Sequence, residues 1–292
     1  MVTAAMARVE RDVVVASGPD ATTFLQSLLS QDLAPVAVGE STHALLLEPK
    51  GKLVVDLRAA RVHDDEWWCV CEAGFGATLA AGLKRFRIRV KVDIEERSAD
   101  LATVALRGPD AVELAAKVLD PSGGVVAIRV DWPADSGVEL VGSPTAVDAV
   151  ASALLGAGAT KISADEYEAR RVEAGVPRQG YDIDESTIAQ EAYLERDAVS
   201  FTKGCFLGQE LVCRIDSRGH VNRVLRRLRS DAPVARGSAV VADGKEVGLV
   251  TTAVGIVGLA TIRRAVEPGT EVVVRGPTGD ISARVEAVAG DA

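Results

Sequence analysis

Two stretches of this chain echo one another: Ser17-Gly-Pro-Asp20 followed by Ala21, and Arg107-Gly-Pro-Asp110 followed by Ala111. Each follows a run of apolar, strand-forming residues (12–16 and 102–106) and precedes an apolar run of helical period (21–29 and 111–119). In the first helix Phe24, Leu25, Leu28 and Leu29 share one face, and Ser17 or Asp20 offers an oxygen to cap it. A strand–turn–helix unit written twice points to an internally duplicated α+β architecture.

The intervening pattern extends both copies. Strands are predicted at 43–47 and 53–62, joined by a turn at Glu48-Pro-Lys-Gly-Lys52, and a further strand at 66–71. A helix over 77–86 and a strand over 87–94 complete the first copy. Strands near 125–130 and 138–141 and a helix over 146–155 complete the second. After a helix at 165–173, residues 174–219 are rich in glycine, charge and single aromatics without a steady period, the kind of segment that carries function. From Arg223 onward, short β segments separated by Asp243-Gly244, Pro268-Gly269 and Gly276-Pro-Thr-Gly279 indicate a small antiparallel barrel. The domain boundary is therefore expected at 219/220, giving a region 1–219 and a barrel 220–292.

Composition narrows the function. The 292 residues are 48% hydrophobic but only 4% aromatic, so the core is built mainly from Val, Ala and Leu. A formal charge of −9 argues against a surface that grips nucleic acid throughout. Four scattered cysteines suit a reducing compartment, the N-terminus lacks a signal-peptide pattern, and the apolar stretch 247–262 is too short for a membrane helix. A cytoplasmic protein without a membrane partner is expected. The three histidines (His43, His63, His220) are far apart, and no phosphate loop or zinc motif is present, so no metal site is expected. Cys69 and Cys71 fall on one side of a strand, either as a shared ligand pair or as small hydrophobes beside Trp67 and Trp68.

The most informative segment is Lys203-Gly-Cys-Phe-Leu-Gly-Gln-Glu210. A thiol close to a lysine and to a helix starting near Gln209 suits nucleophilic, redox or ligand chemistry, while a glycine-punctuated structural turn is the alternative. This octapeptide resembles the signature of the YgfZ family of folate-binding proteins, relatives of the glycine-cleavage T-protein, GcvT. Val172-Glu-Ala-Gly-Val-Pro177, Gly180-Tyr-Asp-Ile-Asp184 and Gln190-Glu-Ala-Tyr-Leu194 follow the order of that fold's folate-binding segment. Asp243-Gly-Lys-Glu-Val-Gly-Leu-Val-Thr251 resembles its C-terminal barrel.

The resemblance implies a GcvT/YgfZ-like α+β fold with two interleaved ferredoxin-like lobes and a C-terminal antiparallel β-barrel. It implies tetrahydrofolate, or a related reduced folate, as cofactor. Glu191 would hold the pterin, since a carboxylate can pair with adjacent N–H and amino donors. Asp56 falls where the superfamily places an aspartate near the folate nitrogens; a solvated strand carboxylate is the alternative. Arg223 or Arg226, in an arginine-rich run, could form a fork on the folate glutamate. Cys205 is the candidate functional thiol, with Lys203 tuning it, Gly204 and Gly208 permitting close approach, and Gln209 and Glu210 opening the helix. Cations at Lys84, Arg85, Arg87, Arg89 and Lys91 alternate with Phe86, Ile88 and Val90, placing several on one strand face that could meet a polyglutamate tail or, weakly, RNA; a solvent-facing strand is the alternative.

By the same resemblance the protein supports assembly or repair of iron–sulfur clusters in client enzymes, including those that modify tRNA, with client or assembly proteins as partners. The rival reading is an enzyme, a folate-dependent aminomethyltransferase or demethylase in which Asp56 favours a cationic one-carbon state. A third is a binding module without chemistry.

Overall fold

The computed structural model describes residues 3–120, 123–276 and 279–288. The chain divides into two compact units, Met1–Ala164 with Asp197–Gln209, and Asp165–Arg196 with Glu210–Ala292. The barrel does begin at Arg223, but 165–196 groups with it and 197–209 with the first unit, so the division of contacts does not follow a single cut at 219/220.

The first unit holds β1 (Ala5–Val9), β2 (Arg11–Ser17), α1 (Ala21–Leu28), β3 (Ser41–Leu47), β4 (Leu53–His63), β5 (Glu66–Glu72), α2 (Gly76–Lys84) and β6 (Asp93–Glu96). It continues with β7 (Ala102–Arg107), α3 (Ala111–Val118), β8 (Val126–Arg129), β9 (Gly137–Gly142), α4 (Pro144–Gly156) and β10 (Thr160–Lys161). These strands form two five-stranded sheets, ordered β10-β1-β7-β9-β8 and β3-β4-β5-β2-β6. The chain starts in one sheet, crosses at β2 to build the other, and returns at β7, which is the interleaving expected of the fold.

Alternation along each strand sorts the side chains. One face of the second sheet presents Ala44, Leu46, Val55, Leu57, Cys69 and Cys71 to Phe24 and Leu25 of α1 and Leu79 and Leu83 of α2. In the first sheet Val104, Leu106, Val138 and Leu140 meet Leu114 of α3 and Val147 and Leu154 of α4. The opposite, helix-free faces carry charged side chains, among them Arg11, Arg58, Arg107 and Glu139. Arg11 reaches from β2 to Glu139 on β9, and the Arg129 N–H donates to the Ser41 hydroxyl, so these faces meet.

The duplication extends to detail. Gly18 and Gly108 have φ of +127° and +122°. A Cβ on Gly18 would lie 2.4 Å from the Lys91 carbonyl oxygen, and one on Gly108 2.2 Å from that of Thr3. In each copy the same crossing residue then donates its backbone N–H to the aspartate two positions on: Lys91 to Asp20 at 2.7 Å and Thr3 to Asp110 at 2.8 Å. Neither aspartate caps its own helix through its side chain, contrary to the expectation for Asp20. The carboxylate is committed to pinning a neighbouring segment instead.

That segment corrects a second expectation. No strand forms over 87–92; pairing starts only at Asp93. Phe86, Val90 and Val92 dip into the α1/α2 core, while Ile88 stays 72% exposed. A loop with alternate residues buried mimics a strand's alternation, and Arg89 at φ +57° breaks the extended path. The row of cations expected on one strand face is therefore not built.

The second unit contains α5 (Ala164–Ala174), the short α6 (Glu195–Ala198), which begins in it, and nearly all of α7 (Gln209–Arg218). It also holds β11 (Arg223–Ser230), β12 (Ala239–Ala242), β13 (Lys245–Val254), β14 (Val257–Arg263), β15 (Glu271–Gly276) and β16 (Gly279–Glu286). These strands close into an antiparallel barrel, β11-β14-β13-β12-β15-β16, around Leu228, Val240, Val250, Ile262, Val274 and Val285. Buried Arg171 of α5 pairs with Asp182 at 2.8 Å and Glu168 at 2.7 Å, and Asp182 accepts the Thr251 hydroxyl of β13 at 2.6 Å. This network ties the glycine-rich segment to the barrel wall. Among the described residues no helix is long and apolar enough to cross a membrane.

The paired glycines give a direct check. Gly18→Ala and Gly108→Ala should each cost about 2 kcal/mol or more in urea unfolding, because a Cβ meets a backbone carbonyl at an unfavourable φ. Gly74→Ala, at positive φ but in open space, should cost clearly less.

Candidate functional site

In the first unit the site is built on the β3–β4 hairpin. Its register sets Leu45 opposite Asp56 and His43 opposite Arg58, so His43 and Asp56 are diagonal neighbours on the helix-free face. The His43 Nε2–H donates to Asp56 Oδ1 at 2.5 Å, with the two side chains 10% and 21% exposed. Burial alone would raise the Asp56 carboxyl. The His43 imidazole, by charge and hydrogen bond, and then Arg58 and Arg11 outweigh it and hold the group below the usual carboxylate range. Asp56 is thus a half-buried, oriented anion, not the solvated strand carboxylate that was its alternative.

Behind it stands Glu139, 3% exposed, paired with Arg11 at 2.8 Å and facing Arg107 at 3.6 Å. Burial raises this carboxyl, but the charge and hydrogen bond of Arg11, with Arg107 and Arg58, outweigh it and hold the group below the usual carboxylate range, so it also stays ionised. Arg107 is fully buried, its guanidinium 3.7 Å from the centre of the Trp132 ring. His43 and Arg58 were not expected at the site. The hairpin turn at 48–52 was the available signal, since it fixes the register that brings residues 43 and 56 together.

The signature segment also belongs to the first unit. Leu207 packs on the α1/α2 core, and the Ser30 hydroxyl donates to the Ala198 carbonyl. Lys203 does not turn to the thiol chemistry assigned to it. Its Nζ donates to the carbonyls of Gln26, Leu29 and Gln31 at 2.7 to 2.8 Å, closing the C-terminal end of α1 where orphan carbonyls gather. Burial pulls its ammonium down to about 8, with Asp32 pushing back, so charge is retained at neutral pH. Gly208 has φ +80°, and a Cβ there would lie 2.6 Å from the Glu48 carbonyl oxygen: the close approach it permits is to this chain's own hairpin turn. Gly204 has open space around it. Cys205 between them is exposed. Gln209 is the first residue of α7 and Glu210 lies exposed in its first turn.

Cys69 and Cys71 are buried on the helix-facing side of β5, and burial pushes the Cys69 thiol up to about 12. They are small hydrophobes of the core. Among the described residues no cluster of three or more His, Cys, Asp or Glu is gathered in a way that could hold a metal ion.

In the second unit Glu191 ends a single helical turn, Ala189–Glu191, and its Oε2 accepts the Ile188 N–H at 2.9 Å, which orients the carboxylate. It lines a cavity of about 510 Å³ together with Arg223, Arg236, Thr251, Leu225 and Leu249. Arg226 is not on this cavity. It is 2% exposed and donates to the Tyr193 hydroxyl at 2.5 Å beside a separate cavity of about 340 Å³. Of the two arginines considered for folate, the structure thus brings Arg223 to Glu191 and gives Arg226 to Tyr193.

A family model, the GCVT N-terminal domain, matches residues 10–203. The chain belongs to this family. Among curated relatives of this GCVT member, a probable aminomethyltransferase of Natronomonas pharaonis is 31% identical, covering 90% of this chain and 81% of that protein. An aminomethyltransferase of Herpetosiphon aurantiacus is 29% identical over 81% of this chain and 70% of its own length. The structure of aminomethyltransferase T of the glycine cleavage system from Bartonella henselae superposes with a TM-score of 0.83 at 21% identity. It covers 99% of this chain and 87% of that one, which establishes the shared fold.

Two measurements test these assignments. Glu139→Gln should cost about 3 kcal/mol at neutral pH, because it leaves buried arginines without their partner. The stability a lowered carboxyl contributes is present above its unfolded value near 4 and is lost as pH falls through the folded one. The variant should therefore show a shallower loss of stability in acid than the parent. In a thiol-labelling series Cys205 should react first, with Cys69 and Cys71 reacting only in denaturant. Lys203→Met should lower the melting temperature while leaving the Cys205 labelling rate of the folded protein nearly unchanged.

Proposed function

We propose that this GCVT-family protein binds a reduced folate through Glu191 and uses Asp56 in folate-dependent aminomethyl transfer. The observation that carries the reading is the state of Asp56, a carboxylate half withdrawn from water yet held ionised and fixed by His43. The residues present fit such a ligand. The cavity at Glu191 falls in the size range of small-molecule sites, and its lining joins carboxylates, two arginines and several hydroxyls to Leu and Val side chains.

When bound, tetrahydrofolate would supply the nitrogens that accept a one-carbon unit. Glu191 offers acceptor oxygens to the pterin's N–H and amino donors, and Arg223 offers a guanidinium to a carboxylate. Asp56, already oriented and charged, stabilises positive charge that develops beside it without having to reorganise. His43, with Arg58 and Arg11, keeps it anionic, and the His43 hydrogen bond holds its rotamer. The names of the curated relatives favour this reaction class.

A second reading is favoured by one specific observation, the exposed Cys205 within the Lys203–Glu210 signature. In it the protein is a YgfZ-type, cytoplasmic folate-binding protein that supports iron–sulfur enzymes, tRNA-modifying ones included. Lys203 and Gly208 serve that reading as scaffolding that presents the thiol.

The readings separate in one set of assays. With ligand at a hundred times Kd, tetrahydrofolate should stabilise the protein by about 2.7 kcal/mol, and Glu191→Ala should remove most of the shift. Turnover of an aminomethylated lipoyl carrier with tetrahydrofolate should fall by about a hundredfold in Asp56→Asn. No turnover in the parent protein, together with loss of iron–sulfur enzyme activity in cells carrying Cys205→Ser, would replace the first reading with the second.

A further inference from the structure

The cavity of about 340 Å³ beside Tyr193 lies wholly within the second unit, and the folate reading leaves it unused. Alternation along β11 separates it from the Glu191 cavity, since Arg223 and Leu225 line that one and Val224 and Arg226 this one. Gln190, the neighbour of Glu191 in sequence, lines it too. The Gln190 Nε2–H donates to the Val212 carbonyl at 2.9 Å. A carbonyl only accepts, so this bond fixes the amide with Oε1 turned away from Val212. That Oε1 is buried without a hydrogen-bond partner, on a residue 9% exposed. A buried acceptor in this state is costly and calls for a donor. The remaining lining carries both signs of charge. Glu195 brings a carboxylate, while Arg226, which donates to the Tyr193 hydroxyl, and exposed Arg264 bring guanidiniums. Val221 and Val224, both buried, add apolar surface.

We infer that this cavity binds a small aliphatic α-amino acid as its zwitterion. A simple anion placed here meets the Glu195 carboxylate and the Gln190 oxygen, and a simple cation meets the guanidiniums. A ligand that carries an ammonium and a carboxylate on one carbon satisfies both sides. Its ammonium donates to Gln190 Oε1 beside Glu195, and its carboxylate takes the Arg264 guanidinium as a fork in the positive field of Arg226. A branched aliphatic side chain then lies against Val221 and Val224. The volume stands at the small end of the range of ligand sites, which suits an amino acid better than a large cofactor. The two cavities share no lining residue, so the inference does not rest on the folate reading.

The test is calorimetry on the full chain with three probes: L-valine, isovalerate, which lacks the ammonium, and isobutylamine, which lacks the carboxylate. L-Valine should bind about tenfold more tightly than either, the worth of one charge-assisted hydrogen bond. Gln190→Leu, which replaces the unpartnered oxygen with an apolar group, should weaken L-valine binding by about tenfold. Arg264→Gln changes only an exposed side chain at the rim and should weaken it by about fourfold while leaving isobutylamine binding unchanged. Circular dichroism melts check that both variants are folded, and the Arg264 variant carries the test if the Gln190 one is not. No heat with L-valine at millimolar concentration gives the cavity to water alone and overturns the proposal. Equal binding of the three probes, or L-valine binding unchanged in Arg264→Gln, overturns it as well. Isovalerate binding more tightly than L-valine makes the cavity a simple anion site, which also overturns it. None of these titrations contains folate, so each failure leaves the reading of Glu191 standing.

Discussion

The first unit depends on one ion-pair system, Glu139 set between Arg11 and Arg107 where the helix-free faces of the two sheets meet. Placing a carboxylate and guanidiniums out of water is costly, and the arrangement holds only because each charge has partners of opposite sign. The same arginines that neutralise Glu139 act on Asp56: Arg11 and Arg58 contribute to the low carboxyl values of both. A structural charge and the proposed working charge therefore share one electrostatic environment, and a change at Glu139 reaches Asp56 without touching it.

What the sequence disclosed followed the range of the interactions. The two Gly-Pro-Asp turns and the glycine-separated strands of the barrel are local chemistry, and the duplicated α+β unit and the barrel were legible from them. The roles of Asp20 and Lys203 were not. The Asp20 side chain bonds no N–H of its own helix and finds one at Lys91, and Lys203 finds three carbonyls in 26–31, contacts that no local pattern announces. The loop at 87–92 was misread because residues dipping alternately into a core repeat with the period of a strand. His43 beside Asp56 was within reach of sequence reasoning, through the hairpin register. Glu191 was singled out only by resemblance, since a lone glutamate in an irregular segment has no pattern of its own, and its role belongs to the proposal.

The signature segment shows how one motif can serve two purposes. Lys203, Gly208 and Leu207 are each explained by the packing of the first unit, whereas the Cys205 thiol is exposed. The conformation is what the flanking residues secure, and the thiol is what that conformation displays.

The chain passes from the first unit to the second after Ala164, returns for Asp197–Gln209, and leaves again. During synthesis, then, the first unit cannot finish when its sheets have emerged from the ribosome. The end of α1 stays open and part of its core uncovered until Lys203 and Leu207 are made, after the whole Asp165–Arg196 segment has been translated. Nascent chains halted before that point would carry an incomplete first unit, a natural target for chaperones, and the glycine-rich segment would already be tethered at both ends when the barrel strands begin to appear.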